Sequence, residues 1–112
     1  MEPQVRDKGD VHILDLEGRL TLGSNETEIM GDIIRDLLHE GKKKIILNID
    51  KVSYIDSASL GVLVAHYKRA VERGGMIKVL KPNEKTLSVL VATRLNLIFD
   101  IFSSEDEAVA SF

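Results

Sequence analysis

Residues 44–49 form an almost unbroken apolar run, Lys44-Ile45-Ile46-Leu47-Asn48-Ile49, and this run limits the folds open to the chain. A strand that is apolar at successive residues is buried on both faces, which is typical of a parallel sheet covered by helices. A second apolar run, Met76–Leu80, predicts a neighbouring strand. Parallel strands need a crossover between them, so a helix is expected between these two runs.

Helical periodicity predicts two long helices, one on each side of the first run. The first covers about residues 26–40 and ends at Gly41, with Asn25 and Glu28 at capping-box spacing. The second covers residues 57–73 and is closed by Gly74 and Gly75. The apolar stripe of the first helix is Ile29, Met30, Ile33, Ile34, Leu37 and Leu38. That of the second is Leu60, Leu63, Val64, Tyr67 and Val71.

The remaining segments complete an alternating pattern of strands and helices. A turn at residues 8–10 separates a short strand, Gln4–Asp7, from a second strand, Val11–Leu16. Glu17 and Gly18 interrupt this second strand, and residues 19–22 continue in an extended conformation. Pro82 and Asn83 open a third helix, residues 98–102 are extended, and Ser104 caps a fourth helix. This order predicts one α/β domain over residues 1–112, with a mixed, mostly parallel sheet of about five strands and four helices.

Composition argues against several classes of function. Fifteen basic and 18 acidic residues give a net charge of -3, so we expect no direct nucleic-acid binding. The one basic run, Lys42–Lys44, is interpreted as a solvated loop that keeps a strand end soluble, with a nucleic-acid patch as the alternative. There is no cysteine, and His12, His39 and His66 are scattered, so no metal site or cofactor is expected. The chain begins without a signal peptide and has no membrane-spanning apolar run, which predicts a cytoplasmic protein that binds no membrane.

The junction between the buried strand and the second long helix is the most distinctive segment. Asp56 and Ser57 fall at the start of the helix, where unpaired backbone N–H groups attract an anion, although simple capping explains the same residues. One helix face begins with small apolar residues next to Ser57 and ends in basic residues, which is typical of a docking surface unless another part of the chain covers it. This face consists of Ala58, Val62, Ala65, His66, Arg69 and Arg73.

At these residues the sequence resembles the STAS-domain family, in particular the bacterial anti-sigma factor antagonists. The family core is an apolar strand followed by Asp-Ser-(Ser/Ala/Thr)-Gly-(Leu/Ile)-Gly, matched here by residues 45–49 and 56–61. Residues 18–21, 73–79 and 95–99 also fit, so the resemblance covers nearly the whole chain. Ser59 stands where the family usually has glycine.

The resemblance implies a protein-binding switch without catalytic residues or a small-molecule substrate. Its partners would be an anti-sigma factor that is also a serine-protein kinase, and a serine phosphatase, with Ser57 as the phosphorylated residue. The expected partner-binding residues are Asp56, Ser57, Ala58, Ser59, Val62, His66 and Arg69. We further expect Asp56 to orient the Ser57 hydroxyl, and Ser59 to lie on the flank of the docking face and tune specificity.

Two other classes of function remain open on the sequence alone. One is a phosphorylation-independent STAS adaptor in a larger signalling or transport assembly. The other is an enzyme or small-ligand binder, for which the sequence offers little, because only Asp56 is titratable next to Ser57.

Overall fold

Five strands form one sheet in which strands adjacent in the sequence are also adjacent in space. The computed structural model describes residues 3–112. The strand order is β1-β2-β3-β4-β5, with β1 antiparallel to β2 and all other neighbours parallel. The strands are β1 (Gln4–Lys8), β2 (Val11–Leu20), β3 (Lys44–Ile55), β4 (Met76–Leu80) and β5 (Ile101–Phe102). The predicted mixed, mostly parallel sheet is confirmed.

Four α-helices connect or follow these strands, as predicted. They are α1 (Asn25–His39), α2 (Ser57–Glu72), α3 (Glu84–Ala92) and α4 (Glu105–Ala110), with a short 3-10 helix at Leu95–Leu97. Across residues 3–112, every helix is too short or too polar to cross a membrane.

Helices cover the sheet on both sides. The helices α1, α2 and α3 pack on one face, where Leu14, Leu47 and Val79 belong to the larger apolar core. On the other face, α4 supplies Ala108 to a smaller core with Ile46. Three successive residues of β3, Ile45, Ile46 and Leu47, therefore point alternately into the two cores and are all buried, which explains the apolar run in this strand.

The strand β3 is longer than predicted, whereas β2 is one continuous strand that ends two residues before the predicted extended segment 19–22 does. The strand β3 continues to Ile55, and β2 continues to Leu20 through Gly18, which has φ +92°. The pairing register of β2 and β3 shifts on both sides of Gly18, so the predicted interruption is an irregularity within one strand. Pairing between β2 and β3 outweighs the local break, and it carries both strand ends to the start of α2.

Three further predictions are wrong in detail. The cap of α1 is Ser24, whose Oγ accepts a hydrogen bond from the Thr27 N–H at 3.2 Å; Asn25 is already helical. Residues 98–102 are only partly extended, because the 3-10 helix precedes a strand of two residues. Val71 is 46% exposed, whereas Ala70 is fully buried, so the predicted apolar stripe of α2 is wrong at its last residue.

Candidate functional site

The β3–α2 junction places Ser57 on the surface at the carboxyl end of the sheet. The Asp56 N–H donates to the carbonyl of Leu20 at 3.1 Å, which holds the junction against the end of β2. Asp56 is the N-cap and Ser57 the first residue of α2. Ser57 is exposed, and its hydroxyl has no hydrogen-bond partner in residues 3–112. Its side chain is therefore accessible to another protein.

The Asp56 carboxylate ties the start of α2 to the β2–α1 loop. One oxygen accepts from the Ser59 N–H at 2.8 Å, and the other accepts from the Leu22 N–H at 3.0 Å. The hydrogen bonds from Leu22 and then Ser59 lower the pKa of Asp56 from its usual value, since they favour the carboxylate. In the described residues 3–112 the Asp56 carboxylate oxygens accept these two backbone N–H groups and not the Ser57 hydroxyl, which corrects the prediction that Asp56 orients Ser57.

The substitution Asp56→Asn tests this tie. Asparagine keeps one carbonyl oxygen for capping but loses the second acceptor, so we expect the Leu22 amide to lose its protection from hydrogen exchange. Asp56→Ala removes both acceptors and should also expose the Ser59 amide. Hydrogen exchange followed by NMR gives both rates. Unchanged exchange at Leu22 in either variant would contradict this role of the carboxylate.

Ser59 lies inside the contact between α1 and α2. Only 2% of it is exposed, and its Oγ is 3.4 Å from Oγ1 of Thr27. The Thr27 hydroxyl also lies 2.9 Å from Oγ of Ser24 and donates to the carbonyl of Thr21 at 3.0 Å. The prediction that Ser59 lies on the flank of an exposed docking face is therefore wrong.

His66 is also internal, although it was predicted as a partner-binding residue. It is 5% exposed, and a Cβ placed on Gly31 of α1 would come within 2.9 Å of its Nε2. Arg69 is half-buried, and its Nη1 lies 3.1 Å from Nδ1 of His66. A glycine inside a helix costs stability relative to alanine, so Gly31 was the sequence signal of this close helix contact.

Fewer residues of the predicted face are accessible than expected. Leu22, which the sequence analysis missed, is accessible beside them. Ala58 and Ala65 are exposed and Val62 is half-buried. Leu22, in the loop tied to Asp56, is 73% exposed. The only indication of this residue in the sequence is that it is apolar and lies in a loop, between Thr21 and Gly23, where the local sequence gives no pattern that predicts its burial.

An open groove runs from the β2–α1 loop along the contact between α1 and α2. Its volume is about 400 Å³. It is lined by Leu22, Gly23, Thr27, Glu28, Gly31, Asp32, Arg35 and Val62. We call this groove together with Ser57, Ala58 and Ala65 the docking surface. Within residues 3–112 there is no group of three or more His, Asp or Glu side chains arranged to hold a metal ion.

The chain matches a known family and several relatives over most of its length. The family model of the STAS domain matches residues 2–108. A protein of Thermotoga maritima named as a candidate anti-sigma factor antagonist is 38% identical over 77 residues, which cover 69% of this chain and 68% of the relative. The anti-sigma-B factor antagonist of Staphylococcus aureus is 30% identical over 76 residues, or 67% of this chain and 61% of that protein.

Solved structures show the same fold. The crystal structure of a candidate anti-sigma factor antagonist from Thermotoga maritima superposes with a TM-score of 0.88 at 32% identity, covering 97% of this chain and 92% of that one. The phosphorylated form of the Bacillus cell fate determinant SpoIIAA has a TM-score of 0.75 at 20% identity, covering 97% of each chain. At this lower identity the likeness extends to the fold alone.

Proposed function

Because the chain belongs to the STAS domain family, we propose that it is an anti-sigma factor antagonist that works as a phosphorylation-controlled binding switch. In the cytoplasm, the unmodified protein would bind an anti-sigma factor that is also a serine kinase, and so release a sigma factor. The kinase would phosphorylate Ser57, and a serine phosphatase would restore the unmodified form. The protein acts in this scheme by binding and carries out no chemistry of its own.

The observation that carries the proposal is the exposed Ser57 hydroxyl at the edge of the docking surface. It has no hydrogen-bond partner in the described part of the chain, so modification would break no internal contact. Around it lie Ala58 and Leu22, small or apolar and exposed, as expected for residues that a partner covers. Asp56 connects the helix start to the Leu22 loop through one hydrogen bond to each, so Leu22 is held next to the start of α2.

A phosphate on Ser57 would act through its charge. It adds about -1.5 to -2 charges at neutral pH. The neighbouring Asp56 carboxylate is already negative, and its pKa is lowered by the Leu22 and Ser59 N–H groups, so it stays ionised. Covering this surface would then require the removal of water from two adjacent negative groups, which opposes docking.

The direct test is a reaction of the chain with its cognate anti-sigma factor kinase and ATP, with the modified residue mapped by mass spectrometry. We expect a single phosphate on Ser57 in the wild type and none in Ser57→Ala. Ser59 should remain unmodified, because only 2% of it is exposed and its hydroxyl faces Thr27.

Ser59→Gly is the matched control for this experiment. It should still be phosphorylated on Ser57, and it should lose roughly 0.5 to 1 kcal/mol of stability because glycine is unfavourable within a helix. Phosphate on Ser59 in the wild type would show that the wrong serine had been assigned. An unmodified wild type would contradict the switch itself.

A further inference from the structure

We propose that neutral His66 is a positioning residue of the docking surface. Its ring sets the spacing between α1 and α2, and its protonation loosens the contact between these two helices. The effect on partner binding rests on the proposed function. The contact itself is a property of the chain alone, and it can be tested without a partner.

Two contacts that join α1 to α2 lie along the groove of the docking surface. In the first, Thr27 meets Ser59, with 3.4 Å between their hydroxyl oxygens. In the second, about one helical turn further along α1, Gly31 meets the ring of His66. Thr27, Gly31 and Val62 also line the groove, so a change in either contact alters its width.

The contact between Gly31 and His66 leaves no room for a side chain. A Cβ on Gly31 would lie 2.9 Å from Nε2 and 3.5 Å from Cε1 of His66. The imidazole therefore occupies the place that a side chain of α1 would otherwise fill. His66 thus acts as the spacer between the two helices.

The hydrogen bond from Arg69 assigns the protonation state of the ring. The Arg69 Nη1 lies 3.1 Å from Nδ1 of His66, and a guanidinium can only donate. Nδ1 must therefore accept, which places the single ring proton on Nε2. A second proton on Nδ1 would remove this hydrogen bond and leave two cations in contact.

The surroundings favour the neutral ring. Burial lowers the pKa of His66 most, the positive charges of Arg69 on α2 and Arg35 on α1 lower it further, and only Asp32 on α1 raises it. The Asp32 carboxylate is exposed and is itself paired with Arg35 at 3.2 Å, so it raises the pKa of His66 only weakly. A proton on His66 is therefore disfavoured while α1 and α2 remain packed.

The direction of the pH effect follows from this lowered pKa. Below about 6.5, the ordinary histidine value, the unfolded or separated state takes up a proton that the packed state does not. The stability of the packed contact is complete above that pH and declines as the pH falls toward the lower pKa of the packed state. Acid therefore loosens the contact between α1 and α2.

NMR titration of the full chain tests the contact. We expect the His66 ring to titrate below pH 6.5 in the wild type, with the Thr27 and Val62 amide signals moving at the same midpoint. In Gly31→Ala, the new Cβ displaces the ring, so its midpoint should rise toward 6.5. A wild-type midpoint at or above 6.5, or an unchanged midpoint in Gly31→Ala, would overturn the proposal.

His66→Gln is the matched variant for partner binding, because its side-chain oxygen can accept from Arg69 but does not titrate. From pH 7.5 to 5.5, affinity for the anti-sigma factor kinase should fall roughly three- to tenfold more in the wild type than in His66→Gln. Equal falls would overturn the role of His66 in positioning the groove. Absence of wild-type binding at pH 7.5 would overturn the proposed function instead, since the NMR midpoint reports the contact independently.

Discussion

Ser57→Asp is expected to weaken binding to the anti-sigma factor roughly a hundredfold, because it adds, next to Asp56, a negative charge that a docked partner would bury. A charge that is covered without a partner costs several kcal/mol, and about 3 kcal/mol corresponds to this factor. Ser57→Ala should bind within a few-fold of the wild type, because the Ser57 hydroxyl has no partner in residues 3–112. Calorimetric titration of the purified partner measures these affinities.

Ser57→Asn is the control that separates charge from size, because asparagine has the shape of aspartate without its charge. Its affinity should lie close to that of Ser57→Ala. If Asn and Asp weaken binding equally, size and not charge controls the docking surface. If all three variants bind like the wild type, the phosphorylation-independent adaptor becomes the better account of the chain.

Gly75→Ala is expected to destabilise the whole fold by about 3 kcal/mol. A Cβ at this position would lie 2.5 Å from the carbonyl oxygen and 2.8 Å from Cβ of Lys43. That carbonyl cannot move away easily, because it accepts the Met76 N–H at 2.9 Å at the start of the pairing between β3 and β4. The clash therefore forces apart two central strands.

Gly61→Ala is the matched control, since it adds the same methyl group in α2 at a point where nothing beyond the neighbouring helix backbone lies within 4 Å. It should stabilise the protein by roughly 0.5 to 1 kcal/mol, because alanine is the better helix former. Urea denaturation measures both variants. A loss of less than 1 kcal/mol for Gly75→Ala would show that β3 and β4 can separate at this point without cost to the rest of the sheet.

Most of the fold, and the position of Ser57, could be predicted from local sequence. The strand at residues 44–49 is apolar on both faces, so both faces must be covered. The two long helices show clear helical periodicity, and glycines mark their C-terminal ends. Asp56 is a strong N-cap, so the start of α2 at Ser57 follows from residues 56 and 57 without any tertiary contact. These features depend on neighbours in the chain, which is why they are visible in the sequence.

The accessible face of α2 could not be predicted in this way. Hydrophobic periodicity finds the stripe that faces the sheet, but α2 also packs against α1, through Ser59 and His66. These residues are small or polar, so no apolar pattern marks them, and only the approach of Gly31 makes their burial possible. Leu22 was missed for a different reason. Its position near Ser57 depends on the hydrogen bond from its N–H to Asp56, which is 34 residues away in the sequence. The sequence by itself determined the sheet, the helices and the start of α2 at Ser57, because these depend on local pattern. Only the tertiary structure decided which residues surround Ser57, because that depends on how closely two helices approach each other.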